Sequence, residues 1–208
     1  MESFIHQLRA NLQQPLPGKT AQYKMAHAVR RSHVEPPEDA RRAAVLALFY
    51  PKNEQLHIVL IERESSNPND RHRGQIGLPG GRYEPQDQTM KNTALREAEE
   101  EVGVDANTVQ VLGQLSKLYI PVSNFLVYPF VGYTTSTPEF TPQPEEVRAI
   151  LEVPFSRFLD PSNLQKTNMD LAQNITLRDV PFFSVSGKVV WGATAMMLSE
   201  LLEVVKQE

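Results

Sequence analysis

Apolar residues gather in short runs divided by polar stretches. Ala43 to Tyr50 is a nearly continuous apolar run, and so is His57 to Ile61, with Pro51-Lys52-Asn53-Glu54-Gln55 as a turn between them. The pair predicts a β-hairpin of buried strands. A polar loop from Glu64 to Arg73, interrupted by Pro68, leads to a short strand over Gln75 to Leu78. Further strands are expected over Val109 to Leu115, Phe125 to Tyr133, Ala149 to Val153, Ile175 to Phe183 and Lys188 to Trp191. Helical spacing replaces alternation in three places. Phe4, Ile5, Leu8 and Leu12 make one amphipathic face, Ala94, Leu95, Ala98 and Val102 another, and Met196, Met197, Leu201 and Val204 a third. The second helix should run from about Met90 to Val102 with Gly103 as its C-cap, the third from Ala193 to Val205, and Phe155 to Leu159 should form a helical turn. Strands interleaved with helices imply an α/β layered fold.

This pattern divides the chain into an N-terminal helical arm over residues 1–40 and a compact domain over 41–208. The arm holds the first helix, a Pro-Gly turn at Pro15 to Gly18, and a basic segment through Arg30, Arg31 and His33 that closes at Pro36-Pro37. Its apolar face would pack on the domain or on a second copy in a homodimer, and the pattern leaves both open.

Composition narrows the function classes. The chain has 208 residues, enough to bury a real core, with 40% hydrophobic and 22% charged residues, the balance of an ordinary globular domain. No run approaches membrane-spanning length. A formal net charge of −4 gives no support to nucleic-acid binding, and the absence of cysteine removes disulfides and zinc-thiolate sites. A cytoplasmic setting fits these features, because the first helix has polar residues where a signal peptide would be continuously apolar.

The candidate chemistry lies in Gly80 to Val104, GGRYEPQDQTMKNTALREAEEEVGV. On a helix turning about 100° per residue, Glu101 lies about 40° to one side of Glu97 and Glu100 about 60° to the other, whereas Glu99 falls near the far face. Three carboxylates on one face repel one another, and a hard divalent cation with oxygen ligands relieves that repulsion. A merely solvated acidic helix would show the same charge run.

The same stretch resembles the Nudix box, in which a glycine, a loop acid and an Arg-Glu…Glu-Glu-x-Gly helix follow in fixed order. Arg96-Glu97-Ala98-Glu99-Glu100-Glu101-Val102-Gly103 matches its second half, while Arg96 stands one residue farther from Gly81 and the loop acid is Asp87. The longer loop is similar to the coenzyme A pyrophosphatase branch. So are Gly74-Gln75-Ile76 ahead of Leu78-Pro79-Gly80-Gly81, the run Thr93 to Glu97, and Trp191-Gly192-Ala193-Thr194-Ala195. Asn69-Asp70 departs from the Leu-Arg pair usual in that branch.

The resemblance implies a Nudix α/β/α sandwich with a mixed sheet. It also implies metal-dependent hydrolysis of a diphosphate linkage in a nucleoside diphosphate derivative, most specifically coenzyme A or acyl-coenzyme A. The alternatives are another nucleotide such as ADP-ribose, or a binding module without turnover. Magnesium or manganese would be held by Glu97, Glu101 and Glu100, with the Gly80 carbonyl as a ligand implied by the family and Arg96 holding a glutamate in place. Asp87 would orient the loop or reach a metal-bound water, or act only as a turn former. Glu145 and Glu146 would supply an extra carboxylate or stay solvated. Arg63, Arg71, His72 and Arg73 form a basic neighbourhood for phosphates, including a 3′-phosphate, or are simply solvated. Tyr83 is the expected exposed aromatic for substrate, with Trp191 assigned to the core.

Overall fold

The computed structural model describes residues 1–31, 35–66, 72–171 and 175–207. The chain starts with α1 (Glu2–Asn11) and the short α2 (Gly18–Gln22). The hairpin follows as β1 (Arg41–Lys52) and β2 (Gln55–Arg63), then come the short β3 (Ile76–Gly77) and β4 (Gly80–Arg82), and then α3 (Met90–Val102). Next are β5 (Gln110–Gln114), β6 (Leu118–Ile120), β7 (Phe125–Tyr133), β8 (Val147–Pro154) and the one-turn α4 (Ser156–Leu159). The chain closes with β9 (Leu164–Leu171), β10 (Ile175–Val185), β11 (Lys188–Trp191) and α5 (Gly192–Val205).

Eight of the strands form one mixed sheet with the central order β3-β2-β1-β7-β5. Against this path β4 pairs with β1, β6 with β7 and β8 with β2. The parallel pair is β1 with β7, in register from Arg41 opposite Phe125 to Phe49 opposite Tyr133; the others are antiparallel. The smaller antiparallel sheet has the order β11-β10-β9.

Both faces of the central hairpin are covered, which is why its sequence is continuously apolar rather than alternating. On β1, Ala44, Leu46, Leu48 and Tyr50 turn toward α3, packing with its Ala94, Ala98 and Val102. Ala43, Ala47 and Phe49 turn the other way, into a core shared with α1 and α5. On β2 the same division puts Val59 and Ile61 on the α3 side and Ile58 and Leu60 opposite. The result is the mixed sheet between helical layers expected from the sequence.

The arm is built into this second core. Ile5, Leu8 and Leu12 are buried in it, and a Cβ on Gly113 of β5 would sit 2.8 Å from the Leu12 side chain, so the arm rests directly on β5 backbone. The Asn11 amide donates to the carbonyls of Val204 and Gln207, each at 2.9 Å, and so satisfies acceptors at the free end of α5.

Candidate active site

β4 is a strand without side chains at its critical positions. Gly80 pairs with Val45 of β1 and Gly81 with Ala44. Gly80 has φ of 151°, and a Cβ there would fall on the Ala44 carbonyl oxygen, with the Val45 Cα 2.5 Å away. A Cβ on Gly81 would instead collide with the Glu97 carboxylate. The two glycines let α3 press its acids against the edge of β4.

The turn before α3 is fixed by its own polar groups. Glu84 and Asp87 form a reciprocal capping box, and the Asp87 carboxylate also accepts from Thr93 Oγ1 at 2.9 Å. Thr89 caps α3 by accepting from the Asn92 amide at 3.1 Å, and Gly103 ends the helix in the left-handed conformation. Arg96 then ties loop to helix. Its guanidinium donates to Asp87 at 2.7 Å, reaches Glu97 at 3.0 Å and Glu100 at 2.8 Å, and also meets the Arg82 carbonyl. That guanidinium, with the Glu84 amide and the Thr93 hydroxyl, holds the Asp87 carboxyl down at about 2 against the effect of burial. Asp87 therefore serves the loop and Arg96, as a turn former.

Glu97 and Glu101 are both buried, Glu101 to 1% exposure. Glu101 accepts from the Gly80 amide at 2.7 Å and from Arg63 at 3.2 Å. Burial, reinforced by the nearby Glu97 and Glu146, pushes its carboxyl up to about 7 despite Arg63 and the Gly80 amide. Burial likewise raises Glu97 against the pull of Arg96.

The third acid of the group is Glu146. The segment before β8 is bonded to the end of α3 through the Gln143 amide and the Glu101 carbonyl, 3.1 Å apart, and the Glu146 carbonyl accepts from the Glu64 amide at 2.7 Å. Oxygens of Glu97, Glu101 and Glu146 come within 4.8 Å of one another. Three converging carboxylates, two of them buried and costly to ionise, suit a hard divalent cation. Glu100 is exposed and engaged by Arg96, so it stands beside this group.

The acids open onto a cavity of about 820 Å³. Ala43, Val45 and Val127 form apolar lining on the sheet, Leu177, Trp191 and Met197 add more, and His72 and Gln75 are polar members of the wall. Gly80, Arg63, Arg96 and Glu100 line it too. Two expected substrate contacts are held away from it. Arg73 is exposed and bound to Glu64 at 2.6 Å, while Tyr83 lies under the Arg42 guanidinium, 4.4 Å from its ring centre. Arg71, with Asn69 and Asp70, lies outside the described residues. Trp191, assigned to the core from its place between a strand and a helix, is half-buried and faces the cavity. Sequence reading also missed His27 and Arg30, which bring the arm into the same wall; the Arg30-Arg31-His33 cluster was their one signal.

The NUDIX domain family model matches residues 40–179. The Nudix hydrolase NudL of Photorhabdus laumondii is 35% identical over 169 residues, covering 81% of this chain and 87% of NudL. Nudix hydrolase 22, chloroplastic, of Arabidopsis thaliana is 36% identical over 174 residues; the match takes in 80% of this chain but only 56% of the plant protein. Among solved structures, a MutT/nudix family protein from Enterococcus faecalis superposes with a TM-score of 0.53 at 14% identity, over 90% of this chain and 72% of that one, a likeness of fold alone. With most of its length matched by the family model, and with a relative aligned over most of both chains, this chain belongs to the NUDIX family.

Proposed function

We propose that this Nudix pyrophosphohydrolase cleaves the diphosphate linkage of coenzyme A or an acyl derivative, giving 4′-phosphopantetheine or its acyl form and adenosine 3′,5′-bisphosphate. One observation carries the reading. The segments that resemble the coenzyme A branch stand far apart in the sequence, yet Gln75 and Ile76 line the same cavity as Trp191, Gly192, Ala193 and Thr194. That cavity joins an acidic end to an apolar wall, which suits a substrate that is a charged nucleotide at one end and a long, weakly polar arm at the other.

In this reading Glu97, Glu101 and Glu146 hold magnesium or manganese. A bound divalent ion would neutralise phosphate charge and make its water a better nucleophile at neutral pH. The protein's own part is positioning. Asp87 fixes Arg96, Arg96 fixes Glu97, and the Gly80 amide with Arg63 fixes Glu101, so the carboxylates meet substrate with little freedom to lose. The Gly80 carbonyl, at the same turn, is a further oxygen for the ion. Residues 1–40 act as an arm that completes the cavity wall, and 41–208 form the hydrolase domain.

The test is a panel of coenzyme A, an acyl-coenzyme A, ADP-ribose and a diadenosine diphosphate, each with magnesium or manganese, with products identified by mass. Coenzyme A compounds should show the highest kcat/KM and split within the diphosphate. Metal-dependent hydrolysis of ADP-ribose without cleavage of coenzyme A would overturn the substrate and leave the chemistry standing. No turnover of any compound would favour a binding module.

A further inference from the structure

The arm contributes two nitrogen-bearing side chains to the cavity, His27 and Arg30. Arg30 is half-buried and donates to the Tyr119 carbonyl at 2.7 Å. Burial weakens its hold on its proton. Arg63 is paired with Glu101, and Arg96 with Asp87, Glu97 and Glu100, whereas Arg30 has no carboxylate partner among the described residues. Beside it, the buried Nδ1 of His27 has no hydrogen-bond partner. A guanidinium withdrawn from water with no counter-charge is costly, and an anion with several oxygens answers both deficits at once.

The sheet register places this pair away from the acids. Tyr119 of β6 is opposite Leu126 of β7, Leu126 opposite Arg42 of β1, and the neighbouring Ala43 opposite Arg82 of β4. Three strand spacings, roughly 14 Å, therefore separate the Arg30 anchor from the strand that carries Gly80 and Gly81. An anion bound there is too far from the carboxylates to be the phosphate under attack. It would be a second, uncleaved phosphate on the same nucleotide.

We propose that Arg30, seconded by His27, forms a subsite for a phosphate monoester on the substrate's ribose, so that the N-terminal arm selects nucleotides with that extra phosphate. The inference rests on the coenzyme A reading for the identity of the nucleotide, but its geometry does not. It moves recognition of the extra phosphate from the loop before β3, where Arg73 is taken up by Glu64, to the arm.

Calorimetric titration of the metal-free protein with adenosine 3′,5′-bisphosphate and with adenosine 5′-monophosphate separates the two claims. The wild type should bind the bisphosphate about ten- to a hundredfold more tightly, the scale of a charge-assisted contact. In Arg30→Gln the ratio of the two affinities should fall toward one; Arg30→Lys, which keeps the charge but not the fork, should restore part of it, and His27→Gln should lower it less. An unchanged ratio in Arg30→Gln overturns the proposal, whether both affinities hold or both fall together. Turnover of coenzyme A against 3′-dephospho-coenzyme A supplies the second arm. If coenzyme A is not cleaved but the binding ratio collapses in Arg30→Gln, the substrate reading falls and the subsite stands. If coenzyme A is cleaved and the ratio does not move, the subsite falls alone.

Discussion

At the scale of single residues, position on α3 decides which glutamates meet at the cavity. Glu97 and Glu101 face Glu146 across the edge of β4, while Glu99 is exposed on the opposite side of the helix. Glu97→Gln and Glu101→Gln remove charge at nearly constant volume, so each should lower kcat by about a hundredfold or more with little change in fold. Glu146→Gln should cost less because that residue is exposed, and Glu99→Gln should be close to neutral. Steady-state rates with circular dichroism as the fold control check this; wild-type turnover by Glu101→Gln would sink the assignment. The raised Glu101 carboxyl gives a second prediction. Its folded value, about 7, lies above the ordinary 4.5, so the metal-free protein is more stable with this group protonated, and that contribution disappears as pH rises from about 4.5 through 7. Metal must displace the same proton. The rise in Tm on adding magnesium should therefore grow across this interval and level off above it. A magnesium effect as large at pH 5 as at pH 8, or a slope that survives in Glu101→Gln, would contradict the coupling.

At the scale of elements, two adjacent glycines should fail in different ways. Gly80→Ala puts a methyl into β1 backbone, which cannot give way, at a φ that alanine rarely adopts, so it should lower Tm sharply or prevent folding. Gly81→Ala meets only the end of a flexible side chain, so the fold should survive while Glu97 is displaced and turnover is lost. Thermal melts beside activity assays separate the two outcomes, and equal loss of Tm in both variants would show that β4 is simply intolerant of side chains. These elements also show what a sequence reading can reach. The hairpin and α3 were legible because burial on both sheet faces, the apolar spacing along the helix and the Gly103 stop leave local marks. The strand β9 was not. Gln165, Lys166, Asn168 and Asp170 make its composition polar, and it is a strand because its backbone pairs with β10. Nor could spacing place Trp191 and Arg30 in one cavity. Arg96 to Glu101 share a helix and so a known rotation, but Glu146, Arg30 and Trp191 arrive from other elements through contacts that no local pattern encodes.

At the scale of the whole molecule, the two ends of the chain meet on one carboxylate. Glu200 of α5 is fully buried. One of its oxygens accepts from the amides of Gly18 and Ser116, at 3.1 and 3.2 Å, and the other from the Gln22 side chain at 2.8 Å. Ser199 on the same helix donates to the Ala21 carbonyl at 2.8 Å. The carboxylate thus joins α2, the segment between β5 and β6, and the closing helix, and α2 runs on toward His27 and Arg30 at the cavity. Every donor that meets it is an N–H, so the acceptor must offer oxygen on both sides. Glu200→Gln keeps the shape but turns an amide NH2 toward either the backbone amides or Gln22. That leaves at least one buried donor facing another, a loss of about 1–3 kcal/mol, which in a chain of this size lowers Tm by roughly 2–10 °C. The loss should be concentrated in the arm. Hydrogen exchange should quicken first at Gly18 and over α2, while the amides of α3, which pack on the other face of the sheet, keep their protection. Exchange that quickens equally in α2 and α3 would mean that Glu200 stabilises the domain as a whole rather than fastening the arm to it.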